Sequence, residues 1–411
     1  MPQALTARLH GDAIDRVSDD KFPSRLDRTH SPRVFGLDVL RAIAILSVVF
    51  AHFSGVLSPH IPWWFDLVHH GGFYGVELFF VLSGFLIGRI LIRSGPELQE
   101  TSNLATFYIR RWFRTLPLFW LFLVFNVWLE YFLRNSRIPL SEILAHGFFL
   151  RNFAALKMSI FGESWSLAIE EWFYLLFPAA LWLGLRLSKR FDAVFLSSAL
   201  VFFLFSTVVR VLSAPHAWAT WTEWQRRIVI YRFDALMIGV FAAWLSLRFK
   251  NRWRASASIC AVAGILLVLG LYATLWKISD HQFLFSNDTY FARTFRFTFV
   301  SLGFALLLPI ASTWKLARET VLSTMIRRIA LWSYALYLTH WPIAQLISDY
   351  FLKDWKASAL GAFTAFALQL AASIAISGLL YRFFESRCTH LRDRVAPVIA
   401  DFIGRERVRT N

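Results

Sequence analysis

Apolar residues run for about twenty positions at a time along most of this chain, with polar clusters between the runs. The runs lie at roughly 36–58, 73–93, 115–133, 165–187, 191–213, 225–248, 255–276, 293–313, 329–351 and 359–384. A helix of about 20 apolar residues spans the hydrocarbon of a bilayer, and in hydrocarbon the backbone must satisfy its own hydrogen bonds. The pattern predicts an all-α, polytopic membrane protein of about ten transmembrane helices. In the longest connection, 134–164, "ILAHGFFL" is apolar but too short to span, which suits a re-entrant or interfacial segment.

The polar clusters set an orientation. With the N-terminus inside, the inner segments hold Arg93, Arg110, Arg111 and Arg114, then Arg186, Lys189 and Arg190, then Arg248 to Arg254, then Lys315, Arg318, Arg327 and Arg328, then the stretch from Arg387 to Arg409. The outer loops hold Lys277, Lys353 and Lys356, and only 134–164 dissents, with Arg134, Arg137, Arg151 and Lys157. Basic residues collect on the cytoplasmic side, so both termini are expected there. The first thirty-odd residues are mixed in charge without an apolar core, unlike a signal peptide. The expected layout is a flexible cytoplasmic arm (1–33), a transmembrane domain (34–390) and a basic cytoplasmic tail (391–411). With no soluble domain expected after the last span, the chemistry is expected within the membrane portion.

Composition agrees. Of 411 residues, 57% are hydrophobic and 17% charged, with 42 Phe and 18 Trp; a soluble domain carries roughly 25% charge. The net charge of +16 suggests nucleic acid, but its confinement to loops between apolar runs is a membrane signature instead. Two cysteines, Cys260 and Cys388, exclude a disulfide framework or zinc site. His60, Asp66, His69 and His70 share an outer loop without a metal-ligand spacing, and no metal is expected.

Ionisable groups inside the runs change the picture most, because each costs about 2.5–3.5 kcal/mol at a helix centre. In "GLDVLRAIAILSVVFAH", Arg41 and His52 are three turns apart on one face, about 16 Å along the axis. Arg41 suits either an interfacial anchor or a polar path, and His52 either an interhelical hydrogen bond or chemistry. "GVELFFVLSGFLIGR" places Glu77 toward the outer end and Gly84 and Gly88 at a spacing that permits close helix packing. "YIRRWFRTLP" places Arg111 and Arg114 on one helix face at an inner mouth. That pair suits a phosphate-bearing ligand or a stop-transfer boundary equally well. "ESWSLAIEEWFYLLFP" carries Glu170 and Glu171, "YRFDALMIG" carries Arg232 and Asp234, and "SYALYLTHWP" carries His340 and Trp341. A carboxylate near a histidine can orient it as a general base. His146 suits a core position.

Together these stretches resemble the acyltransferase 3 family of bacterial membrane-bound O-acyltransferases. The resemblance rests on an arginine and a histidine separated by ten residues (Arg41, His52), on the GV-acid-LFFVLSGFLI stretch with Glu77 as the acid, on the RxxR pair (Arg111, Arg114) before Pro117, on WSLAIEEWFYLLFP with Glu170, and on YALYLTHWPI. It covers about residues 33–390 in order. It implies an enzyme of the bacterial inner membrane that moves an acyl group, acetyl above all, from acyl-CoA to a hydroxyl of a carbohydrate or glycoside. His52 would be the general base or transient acyl carrier, Glu170 its orienting group or part of the acceptor pocket. Arg111 and Arg114 would hold the coenzyme A phosphates, with Arg41 as phosphate or oxyanion partner. Glu77, Arg232, Asp234, His340 and Trp341 are assigned to the acceptor pocket. Some members add an extracytoplasmic hydrolase-like domain, which this chain is expected to lack. The competing readings are a transporter lining a path with the same groups and a scaffold using them as interhelical glue.

Overall fold

The computed structural model describes residues 34–153, 160–214, 225–274, 289–316, 318–351, 354 and 357–410. Among them every regular element is helical. In chain order these are α1 (Phe35–Phe53), α2 (Pro62–His69), α3 (Gly71–Ser94), α4 (Thr101–Arg134), α5 (Leu140–Gly147), α6 (Ser164–Leu187), α7 (Phe191–Ser213), α8 (Phe233–Arg248), α9 (Lys250–Ala255), α10 (Ala257–Ala273), α11 (Tyr290–Thr294), α12 (Arg296–Ala305), α13 (Leu308–Thr313), α14 (Val321–Leu346), α15 (Ala359–Leu380) and α16 (Ser386–Thr410). The expected arm 1–33 and Lys157, Lys277, Lys353 and Lys356 lie outside the described residues.

Seven helical runs among the described residues are long and apolar enough to cross a membrane: Phe35–Val56, Pro62–Gln99, Thr101–Arg134, Ser164–Leu187, Phe191–Ser213, Arg296–Thr313 and Ala359–Ile403. The other three expected spans are helical but fall short. α8 starts only at Phe233, because a turn and a short 3-10 segment (Val229–Tyr231) precede it. α10 has 17 residues. α14 has 26, but polar positions from Ser323 to His340 dilute its apolar character. The "ILAHGFFL" stretch forms the two-turn α5 and the turn after it, with His146 buried. α16 continues the helix through the expected tail and packs along α4.

α3 lies at the centre, packed against α1, α6, α8 and α12. Its glycines explain how closely. A Cβ on Gly84 would fall 1.9 Å from the Leu236 carbonyl oxygen of α8, and one on Gly88 would fall 2.9 Å from Ala243 Cβ. Gly239 returns the contact, with a Cβ position 2.2 Å from the Val81 oxygen. Small residues let backbones meet where lipid offers no hydrophobic drive. Around this contact Ile45, Val48, Phe80, Phe173, Phe177 and Val240 form a continuous buried core. The outward faces stay apolar, as at Val201, Leu204, Ile259, Leu266, Leu360 and Phe363, which suits hydrocarbon as the surrounding solvent.

Gly84→Ala is therefore expected to force α3 and α8 apart. Overpacking of this kind costs about 1–3 kcal/mol. A lowered melting temperature of the detergent-solubilised protein is the result expected, and an unchanged one would show the helices free to separate.

Candidate active site

A cavity of about 730 Å³ opens among α1, α3, α4, α6 and α14. Five arginines line it: Arg41, Arg89, Arg93, Arg111 and Arg114. Three carboxylates, Asp38, Glu170 and Glu171, share the lining. Arg41 reaches Asp38 Oδ1 at 3.5 Å. The Arg111 guanidinium lies 5.4 Å from the centre of the Tyr174 ring, and that of Arg89 lies 5.3 Å from Phe85. Glu170 is held by two donors, Ser83 Oγ and the Tyr174 hydroxyl, each at 2.8 Å. On α3 the lining runs from Arg93 to Val76, about 25 Å of helix at 1.5 Å per residue. Ser166 and Tyr337, whose hydroxyls meet at 2.6 Å, also line it.

His52 is not among the lining residues. Its Nδ1 lies 2.8 Å from Nε2 of His340, with the two rings stacked 5.0 Å apart. Trp341 sets its edge against His52 at 5.2 Å. The two histidines differ in access: His340 is completely buried, and His52 is exposed. His340, three residues after Tyr337 on α14, bonds back to the Tyr337 carbonyl, so the cavity wall and the histidine pair are one continuous piece. The charged or titratable groups acting on His52 are His340, Arg226, His69 and Arg227.

Three of the expected pocket residues lie elsewhere. Glu77, Arg232 and Asp234 form a closed ionic network with Arg210, all four completely buried. Arg232 bonds Glu77 and lies 3.9 Å from Asp234, and Arg210 bonds Asp234 at 2.8 Å. Ser301 donates to Glu77 at 3.0 Å, and Thr298 donates to Asp234 at 2.7 Å. The network joins α3, α7, α8 and α12. Glu170 bonds Ser83 and Tyr174 within the cavity, and it is His340 that hydrogen-bonds His52.

Sequence reasoning missed several groups. Arg89 and Arg93, read from the sequence only as charges at the inner end of their run, line the cavity one helical turn apart, and that spacing carried the signal. Arg210 sits in an apolar run whose charge had no stated partner. Arg226, ahead of α8, sits between the rings of Phe73 (5.4 Å) and Trp165 (5.0 Å). Glu163, just before α6, has both carboxyl oxygens buried without a hydrogen-bond partner, and burial pushes it up to about 8. Among the described residues no group of three side chains is arranged to hold a metal ion.

This geometry can hold a polyanion at the arginines and joins the cavity, through Tyr337 and His340, to the His52 imidazole. A family model described as an acyltransferase domain, acyltransferase 3, matches residues 34–382. The peptidoglycan O-acetyltransferase OatA of Listeria monocytogenes is 28% identical over 396 residues, 89% of this chain and 57% of the relative. A putative O-acetyltransferase of Staphylococcus aureus strain COL is 28% identical over 381 residues, 85% of this chain and 56% of its own. The O-acetyltransferase OatA of Staphylococcus aureus strain NCTC 8325 is 24% identical over 394 residues, 90% of this chain and 59% of its own. The chain thus spans little more than half the length of these relatives, and no solved structure matches it. With the model covering the arginine cavity and the histidine pair alike, the chain belongs to the acyltransferase 3 family.

Proposed function

We propose that this chain is a membrane O-acyltransferase that moves an acyl group, acetyl in the first instance, from acyl-CoA to a carbohydrate hydroxyl. The observation that carries the reading is the five-arginine cavity whose lining residue Tyr337 is bonded to the histidine pair that holds the exposed His52. Ten spans, with both termini and the arginine mouth cytoplasmic, follow from the basic loops. Residues 34–390 are then the transmembrane acyltransferase domain of a multi-pass inner-membrane protein, flanked by a cytoplasmic arm (1–33) and a basic tail (391–411). The acceptor approaches His52 from the other side. The peptidoglycan named for the Listeria relative makes a cell-wall glycan the acceptor to test first.

Coenzyme A carries a diphosphate and a further phosphate, and guanidinium forks bind such groups bidentately. Arg111 and Arg114, with Arg89, Arg93 and Arg41 around them, hold that end. The pantetheine arm runs along α3 and brings the thioester to the Ser166–Tyr337 wall. His52 takes the acceptor hydroxyl proton as the oxygen attacks the thioester carbonyl. The new C–O bond forms, the C–S bond breaks, and the leaving thiolate takes the proton from His52. Arg41, one helix face and about 16 Å away, stays with the phosphates rather than the oxyanion. Glu170, fixed by Ser83 and Tyr174, shapes the cavity. Trp341 packs His52, and Glu77, Arg232 and Asp234 hold the helices that frame it.

Mass spectrometry of envelope glycans tests the reading. Base-labile acyl esters are expected in cells making the protein and not in cells without it. Purified protein that leaves labelled acetyl-CoA intact in the presence of those glycans would reject it. Arg111→Gln and Arg114→Gln test the donor site. A hydrogen bond to a charged group is worth about 1.5–3 kcal/mol, so each change is expected to raise KM for acetyl-CoA by roughly one to two orders of magnitude with kcat little altered. Unchanged KM in both variants would remove the phosphates from this mouth.

A further inference from the structure

The hydrogen bonds of His340 determine where its protons lie. Nδ1 is 2.7 Å from the Tyr337 carbonyl oxygen and 3.2 Å from that of Leu336. A carbonyl has no proton to give, so Nδ1 is the donor. The ring is completely buried, and among the described residues no carboxylate acts on it. A second ring proton would make it an uncompensated charge in a low-dielectric interior. His340 is therefore neutral, with Nε2 bare. The atom facing that bare nitrogen, at 2.8 Å, is His52 Nδ1. Two bare nitrogens repel at this distance, so the proton between them belongs to His52 Nδ1. A neutral His52 then keeps its lone pair on Nε2, on the ring that is exposed.

We propose that His340 is a positioning residue: by accepting the Nδ1 proton of His52, it holds His52 in the tautomer that presents an unprotonated Nε2 to the acceptor hydroxyl. The inference rests on His52 being the base of the proposed transfer. During that transfer the hydroxyl proton moves to Nε2 and then to the leaving thiolate, while the Nδ1 proton stays on the His340 bond throughout. The bond strengthens as His52 becomes positive, since a charged donor makes the stronger hydrogen bond. The Tyr337 and Leu336 carbonyls, one turn of α14, are the far end of the relay. The backbone of one helix thus orients a side chain on another.

Kinetics of membranes supplied with labelled acetyl-CoA separate positioning from packing. His340→Ala is expected to lower kcat by about two orders of magnitude or more, the scale of a general base's contribution, with KM for acetyl-CoA within about twofold. His340→Gln keeps a side-chain oxygen that accepts the Nδ1 proton and is expected to recover most of that loss. Full activity in His340→Ala, or a folded His340→Gln no better than His340→Ala, would overturn the inference. Nitrogen-15 NMR of labelled histidine in the wild-type protein checks the tautomer without any variant. His52 is expected with Nδ1 protonated and Nε2 bare, and the reverse would overturn the inference. His52→Ala alone separates the two failures. Activity in His52→Ala removes the base, whereas inactivity there with full activity in His340→Ala removes only the positioning role.

Discussion

His52→Ala is expected to abolish acyl transfer while the protein still inserts and folds. General base catalysis contributes about 10²–10⁴-fold, and ester on extracted glycan should fall below detection at matched membrane levels. The loss of stability should be modest. His52 is exposed and its side-chain hydrogen bond goes to a single partner, His340, so the change leaves one buried acceptor to rehydrate, at about 1–2 kcal/mol. Inactivity with a near-native melting curve therefore assigns chemistry to the imidazole. Equal ester in variant and wild type would keep the enzyme and discard this histidine.

Arg232→Met is expected to have the largest effect on folding. It leaves Glu77 without its cation among completely buried neighbours. Removing one partner of a buried pair costs about 3–5 kcal/mol, a large share of the roughly 5–15 kcal/mol that holds a typical domain together. The double change Arg232→Met with Glu77→Met should recover much of the loss, because two apolar side chains of similar volume carry no stranded charge. Denaturation in detergent micelles measures both. A single variant as stable as wild type would mean that the pair is dispensable to the fold, and would return these residues to the acceptor pocket.

The helices were legible in the apolar runs, and so was the close contact at Gly84 and Gly88, because both follow from spacing along one element. Arg41, Arg111 and Arg114 were legible for the same reason. What joins different helices was not. Nothing in the sequence ties Glu77 to Arg232, 155 positions later, or His52 to His340, 288 positions later. Glu170 was the natural partner to imagine for His52, since carboxylates orient imidazoles in many sites. α14 supplied a histidine braced by its own backbone instead. The two shortfalls differ in cause: α8 is cut short because the chain turns before Phe233, and α14 is long enough but carries polar positions from Ser323 to His340 that dilute its apolar character.

The closed contact between Ser166 and Tyr337 bears on the cell's energy supply. In the proposed topology the arginine cavity and the exposed imidazole face opposite sides of the bilayer, as the two ends of a proton wire would. Joined by water, they would let the proton gradient discharge through the enzyme between turnovers. A hydroxyl pair at 2.6 Å leaves no room for a water chain at that point. On the proposed path that contact keeps water out of the line an acyl group takes, and enlarging it by Tyr337→Gly is expected to be felt first as a drop in membrane potential.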